Sequence, residues 1–286
     1  MSFRQTSELL MLDGKISVVM PAYNEAKDIE RNVREVVDTL LAAGYDFEVI
    51  VVDDGSPDET YREAMKYVGS DPRLVRVVHY DKNIGKGNAL MCGTWFARGD
   101  YVVFLDADMD LHPVQLPVLF DILIAQQADV VVGSKRHRAS KVDYPQIRRL
   151  YSSVYYGIVR LMFGLPITDS QTGLKVFRAE VLQRVLPRIL AKRFAFDIEV
   201  LANAHRLGYR IVDGPVTLKF QRPLGRITSQ DAVNILMDTL AIFYRMYVLR
   251  YYDRLNAGVR FYDVPLPESV PGLRVVEVAR EPAGRA

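Results

Sequence analysis

An α/β fold built on a central, mostly parallel sheet is what this sequence predicts, on three observations. Short β-branched apolar runs recur through the first half of the chain. Segments with helical hydrophobic spacing separate several of them, and polar clusters stand where three of the runs end. Runs that are apolar on both faces belong to strands covered on both sides, and alternation of strand with helix is the pattern of a parallel sheet flanked by helices.

The first strand is expected at ISVVM (16–20). Ile29, Val33, Val36, Val37, Leu40 and Leu41 then recur at helical spacing, and Gly44 follows as a stop. FEVIVVD (47–53), LVRVVHY (74–80) and YVVFLD (101–106) read as three further strands. HPVQLPVLFDILIAQQ bridges to a fifth, ADVVVG (128–133). Residues 145–163 and 230–254 are expected to be helical, and YRIVDGPVTLKF (209–220) extended. The stretch 257–286, with Pro265, Pro267, Pro271 and Pro282, is expected to be a loose tail.

Composition narrows the function. The 286 residues are 49% hydrophobic and 25% charged, as in ordinary globular proteins. A net charge of +2 is too small to argue for nucleic-acid binding. Cys92 is the only cysteine, which excludes an intramolecular disulfide and suits a reducing compartment. The first residues lack the apolar core of a signal peptide, and no stretch reaches the roughly 18 uncharged apolar residues of a spanning helix. The expectation is a protein inside the cell that does not cross a membrane.

VVFLDADMD (102–110) carries the chemistry. Asp106, Asp108 and Asp110 alternate, so on an extended chain all three would face one point. Like charges at that spacing need a positive partner. A calcium loop is excluded, because Leu111 stands where it needs glycine and Pro117 where it needs glutamate. A dinucleotide site is excluded too, since the first strand runs into PAYNE (21–25) and not into a glycine-rich turn. With DDGSPD (53–58) after the second strand, three polar clusters crowd the carboxyl rim where such sheets bind ligands. A divalent cation shared with phosphate oxygens, bound with a nucleotide, remains as the partner.

VVMPAYNE, VVDDGS, NIGKGNAL, FLDAD, DSQTGLKVFR and FDIEVL stand in an order that resembles family 2 glycosyltransferases of the GT-A fold. Within that family the chain looks most like the dolichyl-phosphate mannose and glucose synthases, from about residue 15 to about 250. The resemblance implies transfer of a hexose, with inversion, from a nucleoside diphosphate sugar to a polyprenyl or dolichyl phosphate. GDP-mannose is preferred over UDP-glucose as donor. Pro21, Tyr23 and Glu25 would line the nucleoside site with Asp53 or Asp54, and Lys86 would approach the nucleotide. Asp106, Ala107 and Asp108 would form the D-x-D segment facing diphosphate and a manganese or magnesium ion. The third metal-facing position, often glutamine in the family, is Asp110 here.

On the acceptor side a basic run holds Lys135, Arg136, Arg138, Lys141, Arg148 and Arg149 against one acid, Asp143. It begins where the fifth strand delivers it, on the same rim. By resemblance Arg148 and Ser152 would touch the acceptor phosphate, with Lys135 or Arg136 assisting; the family usually reads G-S-R where this chain reads GSK (133–135). Lys175 and Arg222 are further candidates for phosphate contact, and Asp197 is expected to position groups without serving as an essential base. The resemblance thus divides the chain into a catalytic domain (1–229; nucleotide half about 15–133, acceptor half about 134–229), an amphipathic interface helix (230–256) and a tail (257–286). LYSSVYYGIVRLMFGLP (150–166) and AVNILMDTLAIFYRMYVLRYY (232–252) join tyrosine and arginine to an apolar body, which favours the surface of a membrane over its interior. Asp238, Arg245 and Arg250 are expected off the apolar stripe, in water or at lipid phosphate. The expected place is the cytoplasmic face of a membrane, with a separate membrane protein as an optional partner. Two rivals stand beside this reading: an inverting transferase acting on a sugar hydroxyl, and a non-catalytic binding protein on the same fold.

Overall fold

The computed structural model describes residues 12–68, 75–142, 146–218, 229–254, 261 and 274–276. At its centre lies β1 (Ile16–Ala22), paired in parallel with β2 (Phe47–Asp53) on one side and β4 (Tyr101–Phe104) on the other. β3 (Val75–His79) extends the parallel ladder beyond β2. On the other flank β7 (Lys175–Arg178) runs antiparallel between β4 and β5 (Val130–Ser134), and β8 (Ile211–Pro215) closes that edge. β6 (Lys141–Val142) and β9 (Thr217–Leu218) form a separate small ladder.

Alternation along the strands explains the continuous apolar runs. Val18, Met20, Val49 and Val51 point into one core with Val33, Val36 and Leu40 of α1 (Ile29–Ala42) and Leu119, Phe120 and Leu123 of α4 (Leu116–Ala125). Val19, Ile50 and Val52 point into the opposite core, against α3 (Lys86–Phe96), α5 (Gln146–Phe163), α6 (Ala179–Val185) and α7 (Phe196–Arg206). The central strands β1 and β2 therefore bury both faces. α2 (Thr60–Val68) packs beside α1. Cys92 is buried in the second core, where burial pushes its thiol up to about 12, so packing is its role.

The parallel register puts the strand ends level: Ala22 pairs with Asp53, and Asp53 with His79. The polar clusters therefore meet on one rim. The opposite pole is a structural tie, in which buried Glu48 accepts from Ser17 Oγ at 2.7 Å, the Arg98 amide at 2.7 Å and Arg76 at 3.0 Å.

Three expectations change. β4 stops at Phe104 instead of reaching Asp106. Part of the supposed tail is ordered, since β10 (Arg274–Val276) pairs antiparallel with β3 and Phe261 is buried. The long helix expected over 230–254 is α8 (Ser229–Phe243), then a π-helical turn (Tyr244–Val248) and a 3-10 turn (Tyr251–Asp253), with Arg250 left-handed between them (φ 50°).

Candidate active site

The chain beyond β4 turns instead of running straight. The Met109 amide donates to the Asp106 carbonyl at 3.4 Å, and Met109 is left-handed (φ 58°). Buried Asn32 of α1 fixes the turn by donating to the Ala107 carbonyl at 2.8 Å. Asp106, Asp108 and Asp110 are half-buried while Ala107 and Met109 are buried. Convergence of the three acids, expected of a straight strand, is not what forms. Among the described residues no three acidic, histidine or cysteine side chains gather as a metal cage.

The immediate positive partner of Asp106 is Lys86, whose Nζ lies 2.6 Å from Oδ1. Lys86 opens α3, directly after Gly85. Gly85 has φ +127°, and a Cβ there would stand 2.6 Å from the Lys192 carbonyl, so glycine is needed to deliver the lysine. On the other side of Asp106 the loop before β7 comes so close that a Cβ on Gly173 would lie 2.0 Å from Oδ2. Burial pushes the Asp106 pKa up, but Lys86, aided by Lys175 and Lys135, holds it below the usual carboxylate range. Lys86 is raised in turn: burial lowers it, and the charges of Asp106, Asp197 and Asp108 outweigh that.

A second pair lies below the first. Lys175 Nζ stands 2.7 Å from Asp197 Oδ1, both almost wholly buried, and also donates to the Thr172 carbonyl. Burial lowers the Lys175 pKa, Asp197 opposes, and nearby Lys86 adds to the lowering. Lys175 is thus committed inward and does not present itself to phosphate as expected. Lys135 reaches Asp169 at 3.6 Å, while Arg136 bonds Ser153 at 2.9 Å and covers the Tyr156 ring. The site alternates cation and carboxylate, which suits a multiply charged anion bridged to a cation.

Asp53 and Asp54 are also turned into the protein. Asp53 Oδ2 lies 2.7 Å from His79 Nδ1, and its Oδ1 accepts from the Ser56 amide at 3.2 Å. Asp54 accepts from Tyr80 Oη at 2.6 Å, Asn83 at 3.0 Å and the Ile84 amide at 3.0 Å. Burial raises the Asp54 pKa against these bonds. Asp54 therefore shapes the loop that presents Lys86. At the rim Pro21 is half-buried, Tyr23 exposed and Glu25 buried, with the Glu25 amide held by Thr60 Oγ1 at 2.8 Å. Arg148 and Ser152 stand four positions apart in the first turns of α5. Arg222 lies outside the described residues.

Beside α5 runs α8. Thr239, Ile242 and Met246 face the core, with Tyr155 of α5 bonded to Thr239 at 2.9 Å. Val233, Leu236, Met237, Leu240, Tyr244, Tyr247 and Val248 are exposed on the other side, Met237 by 59% and Val248 by 61%. Of the three charged residues expected off that stripe, Asp238 and Arg250 are exposed, but Arg245 turns inward to buried Glu199 at 3.1 Å. No helix among the described residues is long and apolar enough to cross a membrane.

The family model described as glycosyl transferase family 2 matches residues 17–186. The chain belongs to glycosyl transferase family 2. This family 2 chain is 34% identical over 232 residues to the undecaprenyl-phosphate mannosyltransferase of Micrococcus luteus, covering 77% of this chain and 92% of that protein. It is 35% identical to glycosyltransferase AglD of Haloferax volcanii over 71% of its own length, but over only 32% of AglD. The dodecaprenyl-phosphate galacturonate synthase of Rhizobium johnstonii is 29% identical, with 60% of this chain and 50% of that protein covered. Among solved structures, glucosyl-3-phosphoglycerate synthase of Mycobacterium tuberculosis is similar at TM-score 0.59 and 26% identity, covering 79% of this chain and 81% of that one. Its complex with Mn2+, UDP-glucose and phosphoglyceric acid gives TM-score 0.62 at 24% identity, with 81% and 80% covered. The GT-A fold expected from the motifs is the fold observed.

Sequence reasoning placed Lys86 near the nucleotide and missed its pairing with Asp106. It also missed Asp169 and Glu199, although both stand inside DSQTGLKVFR and FDIEVL.

Proposed function

We propose that this protein is a metal-dependent, inverting transferase that moves a hexose from a nucleoside diphosphate sugar to a polyprenyl phosphate at a membrane surface. The observation that carries the reading is the commitment of Asp197 to Lys175 in the floor of a lysine-lined acidic site. A sugar hydroxyl would need a general base, and Asp197, buried and bonded to an ammonium, is poorly placed to take a proton. A phosphate acceptor is already largely ionised near neutral pH, with a second pKa of about 6. It needs cations and orientation instead, which Lys135, Arg136 and Arg148 would supply in this reading.

Asp106 and Asp108 fit a divalent ion by donor chemistry: hard, half-exposed carboxylate oxygens, too few to enclose a cation and so suited to one that keeps phosphate and water ligands. Such an ion, when bound, stabilises charge developing on the leaving diphosphate. Asp108 would hold it, with Asp110 beside. Lys86 would orient Asp106 and add positive charge next to the diphosphate. Tyr23 and Pro21 would border the nucleoside. Manganese and magnesium both suit these oxygens.

GDP-mannose is the preferred donor; likeness to the mannosyltransferase of Micrococcus luteus, over nearly that whole protein, supports the mannosyl part of that choice. UDP-glucose is the alternative. The exposed stripe of α8 beside α5 supports attachment to a membrane surface, and the cytoplasmic face is the side proposed. The test is transfer from GDP-mannose and, in parallel, UDP-glucose to a polyprenyl phosphate in vesicles with manganese. Mannosyl polyprenyl phosphate is the expected product. Binding of either donor without transfer to any polyprenyl phosphate would turn the reading toward a hydroxyl acceptor or a binding protein.

A further inference from the structure

We propose that Glu199 is a positioning residue that ties the outward-facing helix α8 to the two lysine–carboxylate pairs of the catalytic floor. The proposal rests on the transferase reading for the meaning of its kinetic arm, but its geometry does not.

Glu199 is wholly buried and lies two residues after Asp197 on α7. Its Oε2 accepts from the amides of Leu190 at 2.9 Å and Ala191 at 2.6 Å. Its Oε1 accepts from Arg245 at 3.1 Å and from the Tyr252 hydroxyl, and Arg245 Nε donates to that same hydroxyl at 3.1 Å. One carboxylate thus holds three pieces of chain. The first is α7, which carries Asp197. The second is the loop 190–193, whose Lys192 carbonyl accepts from the Asn88 amide at 3.0 Å and abuts Gly85, so it clasps the end of α3 that carries Lys86. The third is the segment that follows α8.

That segment is built to reach inward. The π-helical turn Tyr244–Val248 and the left-handed Arg250 break the helical period. Arg245 and Met246 consequently face the protein, while Tyr244, Tyr247, Val248 and Leu249 remain exposed. A regular helix packed by apolar contacts would hold α8 down without any charge. A buried carboxylate with four donors fixes relative position more than it adds stability, because a hydrophobic replacement of such a cluster is often neutral or better. Displacement of α8 is therefore transmitted through Arg245 and Tyr252 to Glu199, and from there to Asp197 and Lys86.

Tyr252→Phe removes one hydroxyl and keeps the ring; Glu199→Gln keeps the shape and removes the charge. Melting temperature, amide exchange, and kcat and KM for sugar transfer are measured on the full chain. In Tyr252→Phe, exchange at Leu190, Ala191 and Asn88 should rise while the amides of β1 and β2 are unchanged. Its kcat should fall about fivefold to tenfold, with donor KM within about twofold, as expected of misplaced groups in an intact site. Glu199→Gln should move the same readings further in the same direction. Unchanged exchange at Asn88 in both variants overturns the tie. So does loosened exchange with an unchanged kcat, or a parallel collapse of melting temperature, kcat and KM, which would mark a merely structural bond. A wild type that binds donor but transfers no sugar would sink the transferase reading alone, and exchange at Asn88 would then decide the tie.

Discussion

Lys86 Nζ and Asp106 Oδ1 stand 2.6 Å apart, joining the first residue of α3 to the turn that follows β4. The pair answers the charge problem of the DADMD segment before any ligand arrives. It also makes the site's behaviour in acid depend on one lysine.

Asp106 is held below the usual carboxylate range, so the charged pair is complete above that range. It is lost only as pH falls through the depressed value. Lys86→Met leaves the upward push of burial opposed only by the more distant Lys175 and Lys135. The acid limb of nucleotide binding should therefore move to higher pH in the variant. Calorimetric titration of donor against pH checks this; an unmoved limb would mean that Asp106 does not govern donor binding.

Gly173→Ala tests the same carboxylate from its other side. The added methyl would sit 2.0 Å from Asp106 Oδ2, so either the carboxylate or the loop must shift. Overpacking of this kind costs about 1–3 kcal/mol. Donor affinity should fall with a fold that still melts cooperatively. An alanine variant with wild-type affinity would show that the carboxylate position is not critical.

Asp108→Ala should abolish metal-dependent binding of the nucleotide diphosphate and leave melting nearly unchanged, because Asp108 lies beyond the strand end and outside both cores. Calorimetry with and without manganese is the measurement. Persisting metal dependence would transfer the role to Asp106 or Asp110.

Arg148→Ala should weaken transfer to polyprenyl phosphate far more than it weakens donor binding. Equal losses in both would merge the acceptor and donor sites. The contrast is read from KM for the acceptor against donor Kd on the same preparation.

The strands were legible in sequence because burial on both faces leaves apolar runs with few alternatives, and β1, β2, β3 and β5 fall within about two residues of their expected bounds. The rim was legible because parallel strands put their carboxyl ends level. What was not legible depends on contacts between segments distant in the chain. The turn at Asp106–Met109 is held by Asn32 of α1, and no local pattern announces it. Lys175 reads as a candidate for phosphate contact until Asp197, on the next long helix, is brought to 2.7 Å. Arg245 looked like a surface charge because a regular helix would place it there, and the π-helical turn does not.

The apolar stripe of α8 yields the last prediction. Helical spacing alone is the same for a core face and a lipid face, so sequence could not choose between them. The structure puts Thr239, Ile242 and Met246 inward, leaving Met237 exposed by 59% and Leu240 by 45%. Phe243 is a poor probe, since it packs on Tyr247 at 4.8 Å and near Phe163 at 6.3 Å. Met237→Ser combined with Leu240→Ser is the cleaner test. A buried pair would lose about 2–5 kcal/mol at each position. Exposed positions should change stability by about 0.5 kcal/mol or less. Co-sedimentation of the wild type with anionic vesicles should be strong and should fall in the double variant at unchanged melting temperature. Loss of self-association in place of vesicle binding would assign the stripe to a second copy of the chain, and unfolding of the variant would return it to the core.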